Sequence, residues 1–268
     1  MRVKAKKYLG QNFLVDPNIR RKIIQACELN PSDIVLELGA GRGELTEGIA
    51  KVAENIFAIE LDSGLCEILR DKFECSKKVK IIQRDILKLD IGRLVGKLSC
   101  KIKVIGNIPY YITSPIIARL FKYKRHIDKI YLTVQKEFAA RLIARAGSKD
   151  YGAFSCFTQY YSLPEIIFTV KNTCFRPVPK TDSAFVGLTL KTKLPLRAKE
   201  EKALFKIIRS AFNQRRKTLK NSLKGIVAKE QVEHFCANLA ITSDIRAERL
   251  TLEDFTNLLR YKENQKKD

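Results

Sequence analysis

The residues best suited to chemistry form one short string, Asn107-Ile108-Pro109-Tyr110, at the end of an apolar run. The Asn107 amide oxygen and the Ile108 carbonyl, held open by the proline that follows, offer two acceptors, and Tyr110 offers a ring. Together they can receive a flat base bearing an amino group: the two carbonyl oxygens take the amine N–H bonds while the ring stacks on the base. The same four residues also fit a strand end followed by a Pro turn. Their surroundings must decide between the two readings.

A second group of residues lies upstream. Glu37-Leu-Gly39-Ala-Gly41-Arg-Gly43-Glu44 follows an apolar run and opens a helical pattern, the context in which a glycine loop carries meaning. Its glycines permit positive φ and close approach of backbone to a ligand. The spacing is G-x-G-x-G, and Glu44 stands where a dinucleotide fingerprint wants its third glycine, so a pyrophosphate would meet a negative side chain. Glu60 ends the next apolar run, where a carboxylate can accept from both ribose hydroxyls. Asp85 follows the third, where a carboxylate can accept from an adenine amine. Either acid alone fits a helix cap. A glycine loop and two acids at successive strand ends describe a cleft for S-adenosylmethionine, whose cationic sulfonium needs no phosphate cradle.

These residues must be positioned by regular elements. Strands are expected at 34–38, 56–61, 79–83, 102–105 and 130–134, alternating with helices at 44–52, 63–73, 115–121 and 135–146. Such alternation argues for a parallel sheet covered on both faces. A first helix begins at the cap Asp16-Pro17. A helix at 151–161 and strands at 166–170 and 184–190, with no clear helix between the strands, allow an antiparallel end to the sheet. Alternation stops near Pro195. Helical segments at 200–223, 230–239 and 251–259 then form a small helical domain, so the expected domains are 1–192 and 193–268.

Composition restricts the partners. Lys plus Arg number 51 against 29 Asp plus Glu, a formal charge of +22, which implies a polyanion such as nucleic acid. No apolar run reaches the roughly 18 residues of a membrane span, and the basic start lacks a following apolar core, so a cytoplasmic protein without membrane attachment is expected. The seven cysteines are odd in number and form no C-x-x-C pair, as for reduced thiols, and with only two histidines no metal site is expected. Zinc-deaminase and histidine-based hydrolytic chemistry are excluded on the same ground. Candidate RNA contacts are the arm Arg2, Lys4, Lys6 and Lys7, the cluster Lys122, Lys124 and Arg125, the pair Arg141 and Arg145, and the run Arg215, Arg216, Lys217, Lys220 and Lys224.

The order and spacing of Gly10-Gln-Asn12-Phe-Leu14, the glycine loop, Asn107-Ile-Pro-Tyr110, Gln135-Lys-Glu137, Asp150-Tyr-Gly152, Phe175-Arg-Pro177-Val-Pro-Lys-Thr-Asp-Ser183 and Phe212-Asn-Gln-Arg-Arg-Lys-Thr-Leu-Lys-Asn221 resemble the ribosomal RNA adenine dimethyltransferases of the KsgA type along nearly the whole chain. The resemblance implies an α/β, Rossmann-like class I methyltransferase sheet, mostly parallel with an antiparallel final strand, and a small C-terminal helical domain. It also implies that a monomer dimethylates N6 of two adjacent adenosines near the 3′ end of small-subunit ribosomal RNA, within a pre-ribosomal particle. Carried over by position, Asn12, Leu14, Gly39, Gly41, Glu60, Asp85 and Asn107 would contact the cofactor, and Tyr110 and Phe175 would sandwich the target adenine. Two residues depart from the family pattern: Tyr111 stands where Asn is usual, and Ala40 where Pro is frequent. The sister group that methylates large-subunit RNA and an RNA-binding factor without catalysis are the alternatives.

Overall fold

A computed structural model of the chain describes residue 6 and residues 9–96, 98–214, 216–242 and 244–265. In chain order the elements are β1 (Phe13–Leu14), α1 (Pro17–Ala26), β2 (Ile34–Leu38), α2 (Glu44–Ala50), β3 (Asn55–Glu60), α3 (Ser63–Lys72), β4 (Val79–Gln83), α4 (Ile91–Val95), β5 (Ile102–Asn107), α5 (Thr113–Lys122), β6 (Ile127–Gln135) and α6 (Lys136–Ile143). Then come α7 (Ala153–Tyr161), β7 (Ser162–Val170), β8 (Phe175–Arg176), β9 (Ser183–Leu190), α8 (Ala198–Asn213), α9 (Leu219–Ser222), α10 (Lys229–Asn238) and α11 (Leu252–Asn264).

The main sheet has seven strands in the order β4-β3-β2-β5-β6-β9-β7. The β2–β3, β3–β4, β2–β5 and β5–β6 pairs are parallel, and β9 runs antiparallel to β6. This is the expected mostly parallel sheet with an antiparallel last strand. β2 is buried at every residue, as a central strand covered on both faces must be. The sheet order turns outward from β2 in one direction through β3 and β4, and in the other through β5. The carboxyl ends of β2 and β5 therefore flank a topological switch point, where open α/β sheets bind ligands.

Contacts divide the chain into two compact units, Met1–Ala139 with Pro164–Leu190, and Ala140–Leu163 with Lys191–Asp268. The expected break after 192 lies beside the third crossing, after Leu190, but residues 140–163 side with the C-terminal helices. The reason is aromatic: Phe157 and Tyr160 each lie 5.2 Å from Phe205 of α8, and Tyr151 lies 5.7 Å from Phe212. Those rings remove a large apolar area from water within the second unit. The core of the first unit gathers Ile23, Val35, Ile49, Ile56, Leu69, Ile105, Phe175 and Phe185 around the sheet.

The helix expected over 200–223 is interrupted. α8 ends at Asn213 and a new turn, α9, begins at Leu219. In one continuous helix the consecutive cations 215–217 would fan through roughly 200°, directing at least one charge at the core. Breaking there keeps Phe212, Leu219 and Leu223 buried and Arg216 and Lys217 exposed. Arg215 lies outside the described residues.

Candidate active site

A cleft of about 750 Å³ opens at the carboxyl ends of β2, β3 and β5 and is lined by Asn12, Gly39, Gly41, Glu60, Asp85, Asn107, Ile108, Pro109 and Tyr110 among others. Leu14 lines a smaller adjoining cavity whose wall shares Gly39, Gly41 and Asn107 with the cleft. The glycine loop is shaped for this place. Gly39 and Gly41 have φ of +72° and +60°, and a Cβ on Gly39 would come within 3.1 Å of the Asn107 carbonyl oxygen. Glycine there lets the ends of β2 and β5 come together without a side chain between them.

The acids are held by main-chain donors. Glu60 is buried, with Oε2 accepting from the Gly41 N–H at 2.9 Å and Oε1 from the N–H groups of Leu61 at 2.8 Å and Asp62 at 3.0 Å. The carboxylate thereby locks the glycine loop to the end of β3. Asp85 Oδ1 accepts from the Leu87 N–H at 2.8 Å, capping a 3-10 turn, so it is a cap and a cleft residue at once.

Asn107 ends β5. Its Nδ2 donates to the Asn12 carbonyl at 2.9 Å, which fixes the amide and leaves Oδ1 as its acceptor on the cleft wall. Tyr110 begins a 3-10 turn, and its hydroxyl lies 2.6 Å from the Ser183 hydroxyl. Burial raises the Tyr110 phenol above its ordinary value, and the Ser183 bond opposes that rise. A Cβ on Gly106 would meet Leu38 oxygen at 3.0 Å and Ile108 Cγ2 at 3.1 Å, so the smallness of this residue serves strand packing.

Phe175 departs from its expected position. Its ring is wholly buried in the core of the first unit, and Phe175 pairs with Leu14 across the short β1–β8 ladder instead of lining the cleft. The apolar stripe of the sheet interior takes up the ring, and the pairing in turn holds Leu14 at the edge of the site.

Three features were absent from the sequence reading. Lys6 Nζ reaches Asp62 at 2.9 Å, and Gln11 Nε2 donates to the same carboxylate at 3.3 Å, so the segment carrying Asn12 is latched to the start of α3. Burial would raise the Asp62 carboxyl, but the Lys6 and Gln11 bonds, with the Gly64 N–H, bring it below the ordinary range. Glu37, buried in β2, accepts from the Thr46 hydroxyl at 2.6 Å and lines the smaller cavity with Glu44. Burial pushes Glu37 up to about 8, with Glu44 and Glu60 adding to the rise and Thr46 opposing it. A single acid inside the apolar run Ile34-Val-Leu-Glu37-Leu38 was the signal available in the sequence.

The third feature is a basic stripe in the C-terminal unit. Lys202, Lys206 and Arg209 follow one another along α8 at i, i+4 and i+7 and are exposed beside a groove that includes Ser210, Asn213 and Ile226. A second groove carries Lys220, Lys224 and Lys229, with Lys220 paired to Asp244 at 2.9 Å. Lys122, Arg125, Arg141 and Arg145 are exposed, and Arg2, Lys4 and Lys7 lie outside the described residues. Among the described residues, no cluster of His, Cys, Asp and Glu could hold a metal ion, and no helix is long and apolar enough to cross a membrane.

Two carboxylates, several backbone donors and no basic side chain line the described cleft. Such a wall favours a neutral or cationic ligand over a phosphate. The chain matches the family model for Ribosomal RNA adenine dimethylase over residues 2–264. Ribosomal RNA small subunit methyltransferase A of Lachnoclostridium phytofermentans is 44% identical over 259 residues, covering 94% of this chain and 89% of that protein. A dimethyladenosine transferase from Plasmodium falciparum has a TM-score of 0.78 at 25% identity, over 95% of this chain and 98% of that one. The 23S rRNA methyltransferase ErmE has a TM-score of 0.74 at 24% identity, over 94% of this chain and 100% of that one, a likeness of fold. With the family match spanning both units and a relative this similar along nearly the whole chain, the protein belongs to the ribosomal RNA adenine dimethylase family.

Proposed function

We propose that the protein transfers methyl groups from S-adenosylmethionine to N6 of two adjacent adenosines of small-subunit ribosomal RNA, two methyl groups to each, acting as a cytoplasmic monomer on a pre-ribosomal particle. The observation that carries this reading is the Asn107 amide, whose orientation is set by the Asn12 carbonyl and whose Oδ1 stands on the wall of an acid-lined cleft beside Tyr110. The cofactor suits this wall because Glu60 and Asp85 can meet ribose hydroxyls and an adenine amine, and no basic side chain of the described cleft asks for a phosphate. Gly39, where a Cβ would press on the Asn107 carbonyl oxygen at 3.1 Å, leaves bare backbone for such a ligand to lie against.

When bound, S-adenosylmethionine supplies an electrophilic methyl group on a sulfonium centre. The chain's own residues supply alignment. Asn107 Oδ1 and the Ile108 carbonyl accept the two N–H bonds of the target amine, drawing its lone pair out of conjugation with the ring and aiming it along the transfer axis. Tyr110 lies along the base, and its hydroxyl is anchored on Ser183. Since the Glu60 oxygens and one Asp85 oxygen are engaged by main-chain N–H groups, neither acid is placed as a strong base toward the amine. Rate enhancement then comes from positioning and fixed dipoles in a largely apolar cleft. The nitrogen gives up its proton to solvent water after the new N–C bond has formed.

RNA is held by cations of the C-terminal unit, the exposed Arg216 and Lys217 and the half-buried Lys220, together with the α8 stripe. The test is mass spectrometry of initially unmethylated small-subunit RNA, incubated as an assembled particle with the protein and the methyl donor. Dimethylation of two neighbouring adenosines is expected. Absence of methyl transfer, or transfer to large-subunit RNA instead, would overturn the reading.

A further inference from the structure

Tyr111 is exposed to 66%, and among the described residues it is the one aromatic side chain exposed to this degree. A lone exposed apolar residue is ordinary and needs no explanation. Its setting is not ordinary, for two reasons. Tyr111 lies on the lip of the cleft, next to Tyr110 in the same 3-10 turn, where successive side chains diverge by about 120°. Tyr110 is thereby anchored on Ser183 while Tyr111 points to the mouth. One flank of the Tyr111 ring also lies against Gly10, whose φ is +64°: a Cβ there would come within 2.9 Å of Tyr111 Cε1, 3.2 Å of Cδ1 and 3.3 Å of Pro109 Cβ. One flank of the ring therefore rests on bare backbone, and the remainder stands open beside the opening through which a base must enter.

We propose that Tyr111 forms a second nucleobase site on the rim, which stacks the neighbour of the reacting adenosine. The inference rests on the adenosine-methylating reading above. Extruding one base from its stack removes a stacking partner from the next, and an open ring at the lip, backed on one flank by Gly10, replaces it without reading sequence. Two adjacent target adenosines would use the pair of rings in turn, one base against Tyr110 while the other lies on Tyr111.

The test compares wild type, Tyr111→Phe and Tyr111→Ala on assembled small-subunit particles. Their RNA carries either two adjacent adenosines or one adenosine with an abasic residue in the neighbouring target position. On intact RNA, Tyr111→Ala is expected to raise KM about tenfold with kcat and cofactor affinity nearly unchanged, and Tyr111→Phe to restore KM. With the abasic RNA, wild type should show the same rise and Tyr111→Ala no further one. An alanine variant with normal KM on intact RNA, or an equal additional loss on abasic RNA, would overturn the rim site while leaving the methyltransferase reading intact. Absence of methyl transfer by wild type would overturn both.

Discussion

The Tyr110 hydroxyl lies 2.6 Å from the Ser183 hydroxyl, so the ring beyond the end of β5 is braced by the first residue of β9, two places along the sheet. Ser183 is fully buried, and Ser183→Ala would leave the phenol without this partner. We expect a loss of about 1 kcal/mol in stability by denaturant titration. A drop of about fivefold in kcat should accompany it as the ring loosens, with RNA affinity unchanged.

Asn107→Ala removes the acceptor and the contact to Asn12 together. Turnover should fall by about 10²–10³ while RNA binding stays near normal, as for other deleted transition-state hydrogen bonds. Asn107→Asp keeps an acceptor but sets a carboxylate against the Asn12 carbonyl, so it should lose cofactor affinity as well as kcat. Equilibrium cofactor binding alongside single-turnover rates separates the two effects.

Glu37 predicts a pH dependence of stability. Its folded pKa, pushed up to about 8, lies above the ordinary value of 4.5. Between those values the folded state holds more protons than the unfolded state, so stability falls as pH rises through the window and levels off above it. Urea titrations without methyl donor should show this decline, up to a few kcal/mol, flattened in Glu37→Gln. Adding the cationic donor should shrink the wild-type slope by favouring the ionised acid.

Asp62 has the opposite sign. Its carboxyl sits below the ordinary range, so the stability it contributes is present above the unfolded value and is lost as pH falls through the folded one. Asp62→Asn should weaken the latch to Lys6 and Gln11. Cofactor affinity by calorimetry is expected to drop by at least about tenfold, the effect of one charge-assisted bond, with kcat at saturating cofactor preserved.

Replacing Lys202, Lys206 and Arg209 together by Gln should weaken RNA binding uniformly across sequences. The slope of log affinity against log salt should become shallower by about two. Filter binding at several salt concentrations measures it, and an unchanged slope would place the phosphates elsewhere.

Much of the first unit was legible in sequence because each strand is a dense apolar run punctuated by Gly, Pro or an acid. β2, with every residue buried, is the clearest case. Asn107, Glu60 and the glycine loop were readable for the same reason: they are polar or glycine residues at the ends of such runs. The two-residue ladder of β1 and β8 leaves no local pattern, so nothing in the sequence set a core position for Phe175 against the place at the target base that the resemblance implies. The latch from Lys6 to Asp62 is likewise a contact between segments far apart in the chain. The break after Asn213 was masked by helix-forming residues on either side, and only the geometry of consecutive charges explains it.

The parallel pairing of β2 with β5 sets Leu38 opposite Gly106, immediately before Gly39 and Asn107. Neighbouring strands are held about 4.8 Å apart by their ladder, so in the proposed reaction the loop that would meet the methyl donor and the residue that would receive the amine are adjacent teeth of one comb. On that reading the gap that the transferred carbon would cross is gauged by the backbone hydrogen bonds of the β2–β5 ladder. A side chain added at Gly39 would act as a shim in that gauge. It should slow transfer through altered reach even in a protein that still folds and still binds both substrates.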